Sequence, residues 1–192
     1  NNTSYDNGFI NLSYEGDGSW IFVEYQRTDE ELGLPGALTA IQLAVSRTQT
    51  VFPLDFNDSI SEVSRIGGSF SIIPNWEFAT EFTYRKDDVK GALTGLALTQ
   101  DRRQKAFNPR IKGIVNIANR PLVVIAGSDI EKTDYILVSP FGAQIGDQNM
   151  VSVYTLVTLP INDFISLTGG IRKAWHDREL NDGIRFLPGD LL

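Results

Sequence analysis

There is no cysteine in this chain, and histidine and methionine each occur once. Without thiols, disulfides and thiolate metal sites are excluded, and the lone imidazole of His176 cannot build a histidine-rich metal or haem centre. No window approaches the roughly 18 continuous apolar residues of a spanning helix. Positive charge is short as well: 17 Lys and Arg stand against 24 Asp and Glu, for a net charge of -7. With no basic run in sight, nucleic acid is excluded as a partner. P-loop, nucleophile elbow and HExxH are missing too, so no enzyme and no resident cofactor is expected.

What the sequence has is rhythm. Strand-like alternation is broken by connections that read short, long, short, long. The short ones are Gly16-Asp17-Gly18, Pro74-Asn75, Ala118-Asn119-Arg120-Pro121 and Pro160-Ile161-Asn162-Asp163, each rich in turn formers. The long ones read as Thr28 to Asp58, Lys86 to Lys105 and Thr133 to Gly146. A transmembrane β-barrel has this asymmetry, with tight periplasmic turns and extended outer loops. A hydrophobic share of 42% with 21% charged residues does not oppose it, because a barrel strand shows lipid only every second residue.

The alternation assigns two faces. Trp76, Phe78, Phe82 and Tyr84 share one parity, and Glu77, Ala79, Glu81, Thr83 and Arg85 the other, as in a strand between two solvents. An exposed Arg or Lys at the bilayer midplane costs about 2–4 kcal/mol, so the charged row must look inward. Ile66, Gly68, Phe70 and Ile72 then face outward on the preceding strand, with Arg65, Gly67, Ser69 and Ser71 inward. Ile111, Gly113, Val115 and Ile117 oppose Arg110, Lys112 and Asn116. Leu122, Val124, Ala126 and Ile130 oppose Asp129 and Glu131, while Ile165, Leu167, Ile171 and Trp175 oppose Ser166, Thr168, Gly170, Arg172 and His176. The second strand is ambiguous, because Trp20 and Phe22 compete with Ile21, Val23 and Tyr25 for the apolar face.

About eight strands result, an all-β, antiparallel up-and-down sheet. Their length suits the roughly 9–11 residues of a membrane-spanning strand better than the 5 or 6 or so of a soluble sandwich, which is the alternative. Trp20, Trp76 and Phe164 beside the short turns, and Tyr84 and Trp175 at the other strand ends, suit two interfacial aromatic girdles. With short turns in the periplasm, both Asn1 and Leu192 would lie outside, and Gly189-Asp190-Leu191-Leu192 makes no amphipathic last strand. Unpaired edges are not tolerated in hydrocarbon. The expectation is therefore an internal segment of a larger barrel. A short helix is expected over Leu38 to Arg47, where Leu38, Ile41, Leu43 and Ala44 have helical spacing around a Thr39 N-cap.

The stretch from Val151 through Tyr154, Pro160, Asp163 and Leu167 to Gly169-Gly170-Ile171-Arg172 resembles the mid-barrel hairpin of TonB-dependent outer-membrane receptors. In that hairpin a V-Y strand and a short turn lead to L-x-x-G-G-x-R. Leu156 stands where the family commonly has Gln, and Lys173-Ala174 replace an aromatic-acidic pair. Asn108-Pro109-Arg110, Ile125 to Asp129, and Leu34-Pro35-Gly36-Ala37-Leu38-Thr39 resemble further pieces of such receptors. The resemblance makes residues 1–192 part of a barrel domain of about 22 strands, with the plug domain outside them. It also implies outer-membrane import of a scarce chelate, a ferric siderophore foremost, energised through the TonB complex. The implied partners are outer-membrane lipid and lipopolysaccharide, the rest of the barrel and its plug, the TonB complex and an iron chelate. A structural or adhesive barrel without transport is the competing function. The inward row of Glu77, Glu81, Arg85, Arg110, Lys112, Asp129, Arg172 and His176 supplies the candidate lumen-facing residues.

Overall fold

The computed structural model describes residues 3–34, 36, 38–46, 50–117, 120–162 and 164–183. The turn at Ala118-Asn119, Asp163, and the segment ending at Leu192 lie outside the described residues.

The chain is a meander of nine antiparallel strands: β1 Thr3–Gly16, β2 Ser19–Gly33, β3 Phe56–Ile73, β4 Trp76–Leu93, β5 Leu96–Phe107, β6 Arg110–Ile117, β7 Arg120–Ser139, β8 Gly142–Pro160 and β9 Ser166–Gly183. Sequential strands pair with each other except β5 and β6, which lie end to end in one lane between β4 and β7. Register does not slip between them. Phe107 faces Phe82 and Ile130, and three residues on Arg110 faces Ala79 and Gly127. The nine strands thus fill eight lanes. No pairing joins β1 to β9 among the described residues.

Among the described residues the only buried hydrophobic side chains are Phe22 and Ala79. A sandwich packs one sheet face on a second sheet, and here no second layer covers either face. What replaces a core is a belt. On one face Trp76 to Tyr84, Leu122 to Ile130, Leu159 to Val151 and Leu167 to Trp175 run apolar at alternate positions, broken at Thr80, Ser128, Thr155, Gly169 and Lys173. These runs are about 9 residues each, the span that a strand tilted about 45° needs to cross hydrocarbon. Beyond them the same face turns charged on neighbouring strands, at Arg27, Glu62 and Lys86 in one row and at Lys105 and Lys132 in the next.

Two of the three long connections expected from the sequence are hairpins instead. β4 and β5 stay paired up to Leu93 and Leu96 around Thr94 (φ 54) and Gly95 (φ 78), and β7 and β8 stay paired up to Ser139 and Gly142. The reason is solvent. Lys86, Asp88, Lys90, Asp101 and Arg103 on one face stand back to back with Asp87, Gln100, Arg102 and Gln104 on the other. With both faces wet, the period-2 signal that marks a strand disappears although the ladder continues. The first long connection is real but shorter, spanning residues 34–55. It holds the expected helix, α1, at Ala40–Val45, with a capping box between Thr39 and Gln42. None of its residues is buried, so it does not pack onto the mouth of the sheet.

One residue of this loop fastens it to the next hairpin. Asp55, 4% exposed, accepts hydrogen bonds from the backbone N–H groups of Thr94 (2.5 Å) and Gly95 (2.9 Å), and its own carbonyl accepts from Leu34. A charged acceptor satisfies two turn donors that the ladder cannot reach. Asp55→Ala removes both bonds at an expected cost of about 1.5–3 kcal/mol. In the full-length protein, amide exchange of Thr94 and Gly95 should accelerate at least about tenfold, while β7 and β8 stay unchanged.

Candidate functional site, the polar face of the sheet

Directly opposed residues in an antiparallel pair point to the same side, so the register can be followed lane by lane. Asn11 faces Glu24, Glu24 faces Arg65, and Arg65 faces Thr83, placing Glu77, Glu81 and Arg85 on the face of Glu24. Glu77 faces Lys112, and Ala79 faces Arg110. Arg110 faces Gly127, two residues from Asp129, which faces Ser152. Tyr154 faces Arg172, and Met150 faces His176. Every candidate from the sequence, Glu77, Glu81, Arg85, Arg110, Lys112, Asp129, Arg172 and His176, therefore lies on one face. The ambiguous strand is settled as well: Trp20 and Phe22 belong to this polar face, their rings 4.8 Å apart, and Ile21, Val23 and Tyr25 to the other. Phe22 lies over Gly67, where a Cβ would sit 2.7 Å from its ring.

Position along the face separates the candidates. Glu77, Arg110, Lys112 and Arg172 line one groove of about 760 Å³ with Tyr154 and Leu156. Glu77, Glu81, Arg110 and Asp129 line a neighbouring one of about 580 Å³ with Glu24 and Arg65. Arg85 lines a further groove with Asp87, Gln100 and Arg102, away from the first two. His176 lines none of these.

The strongest cluster centres on Asp129. Its Oδ1 accepts from Asn108 Nδ2 (2.9 Å), and its Oδ2 accepts from Ser152 Oγ (3.1 Å) and Arg172 Nη2 (2.8 Å). Arg172 also donates to Ser152 Oγ at 2.9 Å, and its guanidinium stands 5.9 Å from the centre of the Tyr154 ring. Ser152 is wholly buried. Tyr154 lies across Gly127, whose absent Cβ would stand 2.6 Å from the phenol oxygen. Four neighbouring lanes are thereby joined by side chains as well as by backbone. A second pair, Glu24 with Arg65, lies across β2 and β3, and Asn11 Nδ2 donates to Glu24 at 3.4 Å.

Higher on the face, Arg85 Nε forks onto both Asp87 oxygens at 2.9 Å, and Ser61 Oγ donates to Asp87 at 2.7 Å. Above the belt on the opposite face, the hydrogen bond between Lys86 and Asp88 raises the lysine pKa above its ordinary value and lowers that of the aspartate. That pairing is present above the usual carboxylate pKa of about 3.9 and is lost as pH falls through the lowered value of Asp88. The arrangement offers ion pairs and hydrogen-bonding groups along a wall. It offers no cluster of metal ligands among the described residues.

Sequence reasoning missed the roles of Asn108, Ser152 and Asp55: Asn108 and Ser152 are short neutral side chains inside stretches read only for their strand pattern, and Asp55 is a single carboxylate within a long connection. Parity could have found Ser152, two residues before Tyr154 on the same face. Replacing Asp129 by Ala should destabilise the protein by about 1–2 kcal/mol, after discount for the half-exposed arginine. In a double-mutant cycle in urea, Asp129→Ala and Arg172→Ala should couple by about 1 kcal/mol.

No family model and no curated protein matches this chain. Solved structures do. The ferric citrate transporter FecA, unliganded, superposes with a TM-score of 0.84 at 17% identity, over 95% of this chain and 31% of FecA. FpvA of P. aeruginosa, bound to a heterologous pyoverdine and iron, gives 0.79 at 8% identity over 93% of this chain and 31% of FpvA. BauA, the ferric preacinetobactin receptor of Acinetobacter baumannii, gives 0.73 at 13% identity over 97% of this chain and 36% of BauA. The chain spans about a third of the length of these receptors. It has the fold of a segment of the barrel of TonB-dependent outer-membrane receptors.

Proposed function

We propose that this chain is part of the barrel wall of an outer-membrane receptor that imports an iron chelate, using energy delivered through the TonB complex to a plug carried elsewhere in the protein. The observation that carries this reading is the pairing of two unlike faces on one eight-lane sheet, matched over 95% of its length by a ferric citrate transporter. In that reading the apolar belt faces lipid. The face with Glu24, Glu77, Arg110, Asp129 and Arg172 borders the lumen, where the rest of a barrel of about 22 strands closes around the plug. Its role is transport without catalysis.

The paired charges support a wall more than a ligand pocket at mid-depth. Arg65 and Arg172 are paired with Glu24 and Asp129, and Arg85 higher up with Asp87, while Lys112 stands opposite Glu77 and Arg110 opposite Ala79, so both signs alternate along the wall. Ligand contact then falls to the overhanging hairpins and loop beyond the belt. A structural or adhesive barrel is the competing function, and uptake separates the two. Deleting the full-length gene should abolish transport of at least one radiolabelled ferric chelate from a panel of citrate, hydroxamate and catecholate complexes, and slow growth under iron limitation. Unchanged uptake of every complex would reject the transport reading.

The orientation has its own test. Single cysteines placed at Phe78, Phe82 and Ile171 should react with lipid-phase probes, and those at Glu77, Glu81 and Arg172 with aqueous probes. A one-residue shift of register exchanges the entire face, so a reversed pattern would reject the assignment of faces.

A further inference from the structure

Beyond the level of the belt, the polar face holds an arginine that nothing in the sheet neutralises. Arg102 on β5 is half-buried and forms no ion pair or side-chain hydrogen bond among the described residues. Its neighbour across the ladder on β4 is Asp87, whose carboxylate is already taken by the Arg85 fork and by Ser61. On its other side stands Tyr135, and along β5 the same face carries Gln104 and Gln100. Two guanidinium groups therefore share one carboxylate, among neutral hydrogen-bonding groups. Glu30 lines the same groove of about 530 Å³ but lies three lanes away on β2. A partly desolvated cation favours an anion brought to it, and a guanidinium matches a carboxylate with two parallel bonds.

Farther out the same face turns apolar. Val89 and Leu137 flank Gln100, Leu98 stands opposite Gly91, and Leu93 faces Leu96 at the hairpin tip. The opposite face of this hairpin carries Lys86, Asp88, Lys90, Asp101 and Arg103. These inward leucines have no core to join, and Leu93 and Leu96 remain 53% and 40% exposed. At about 3.3 Å per residue, the strip begins about 13 Å from Arg102 at Leu98 and reaches about 20 Å at Leu96. A wholly polar chelate would satisfy Arg102 and leave the strip wet. A wholly apolar molecule would leave the guanidinium unpaired. An amphiphile satisfies both, and on the face turned away from the bilayer it arrives as cargo.

We propose that the cargo is an amphiphilic ferric chelate, with a carboxylate of its head on Arg102 beside Tyr135 and Gln104, and an aliphatic arm along Leu98 and Leu137 toward the hairpin tip. This rests on the transport reading and narrows its substrate class. Affinity is divided between the two parts: the guanidinium sets the requirement for negative charge, and the leucines set the preference for an arm.

Equilibrium dialysis with full-length receptor in lipid nanodiscs, empty nanodiscs subtracted, tests the division. The probes are radiolabelled ferric complexes of two citrate monoamides, one bearing a hexyl chain and the other a methyl group. Burying one methylene strengthens binding by up to about fourfold, so wild-type protein should hold the hexyl complex at least about tenfold more tightly. Leu98→Asn/Leu137→Asn should erase that preference and leave the methyl complex bound as before. Val138→Asn, on the other face of the same sheet, should keep the preference. Arg102→Gln should weaken both complexes alike, by about tenfold or more. Equal affinity of wild-type protein for the two complexes would overturn the proposal without any variant, and so would failure to bind either one. Persistence of the preference in the asparagine double variant, or unchanged affinity in Arg102→Gln, would overturn it as well. Each of these failures leaves uptake of the other ferric chelates in cells to be measured, so the substrate class and the transport reading fail separately.

Discussion

At bilayer depth no water is available to a backbone N–H or C=O, and each must find its partner in the neighbouring strand. The whole sheet is organised by that requirement. It explains why register holds through the one place where the sequence could have broken it. Pro109 has no amide hydrogen to contribute, yet Asn108 N–H donates to the Glu81 carbonyl at 2.9 Å, and the Pro109 carbonyl accepts from Ser128 N–H at 3.0 Å. Only one donor is missing and the lane continues unshifted. The Asn108 side chain, turned to the polar face, uses the same site to hold Asp129.

Side-chain chemistry locks what the ladder aligns. A one-residue slip would exchange Glu77, Glu81 and Arg85 with Phe78, Phe82 and Tyr84, placing charge where the belt requires apolar groups. The polar face resists the same slip in a second way. Asp129, Ser152, Arg172 and Asn108 satisfy one another only in the observed register, and Tyr154 needs Gly127 opposite it. Stability here is spread along the lanes in small cross-strand contacts and is not concentrated in a core, since so few side chains are buried.

The two faces were legible in the sequence because each strand lies between different solvents, which imposes period 2 on residue choice. Ala79, Arg110, Asp129 and Arg172 could be assigned from parity alone. Where both sides meet the same solvent the signal vanishes, and this is why residues 86–105 and 133–146 read as loops although the ladder runs through them. Thr94-Gly95 lacked the Asn or Asp that usually announces such a turn. The second strand is ambiguous in sequence for a different reason: aromatics suit the belt, yet the space above Gly67 admits Phe22 on the polar side, and Trp20, whose place beside a short turn suits a lipid-facing girdle, shares that polar face. The Asp55 fastening joins segments about 40 residues apart in the chain, and no local pattern encodes a contact of that range.

The hydrogen bond from Leu34 N–H to the Asp55 carbonyl, 2.9 Å long, closes residues 34–55 into a cycle at its base. At the same base Asp55 ties the cycle to Thr94 and Gly95 of the next hairpin. For a flexible loop, each doubling of length costs only about 0.6 kcal/mol of closure entropy, so the segment can lengthen, shorten or change composition while the lanes on either side keep their register. The segment is thereby a compartment in which the fold tolerates change, and what the loop presents to solvent can alter while β2 and β3 keep their pairing.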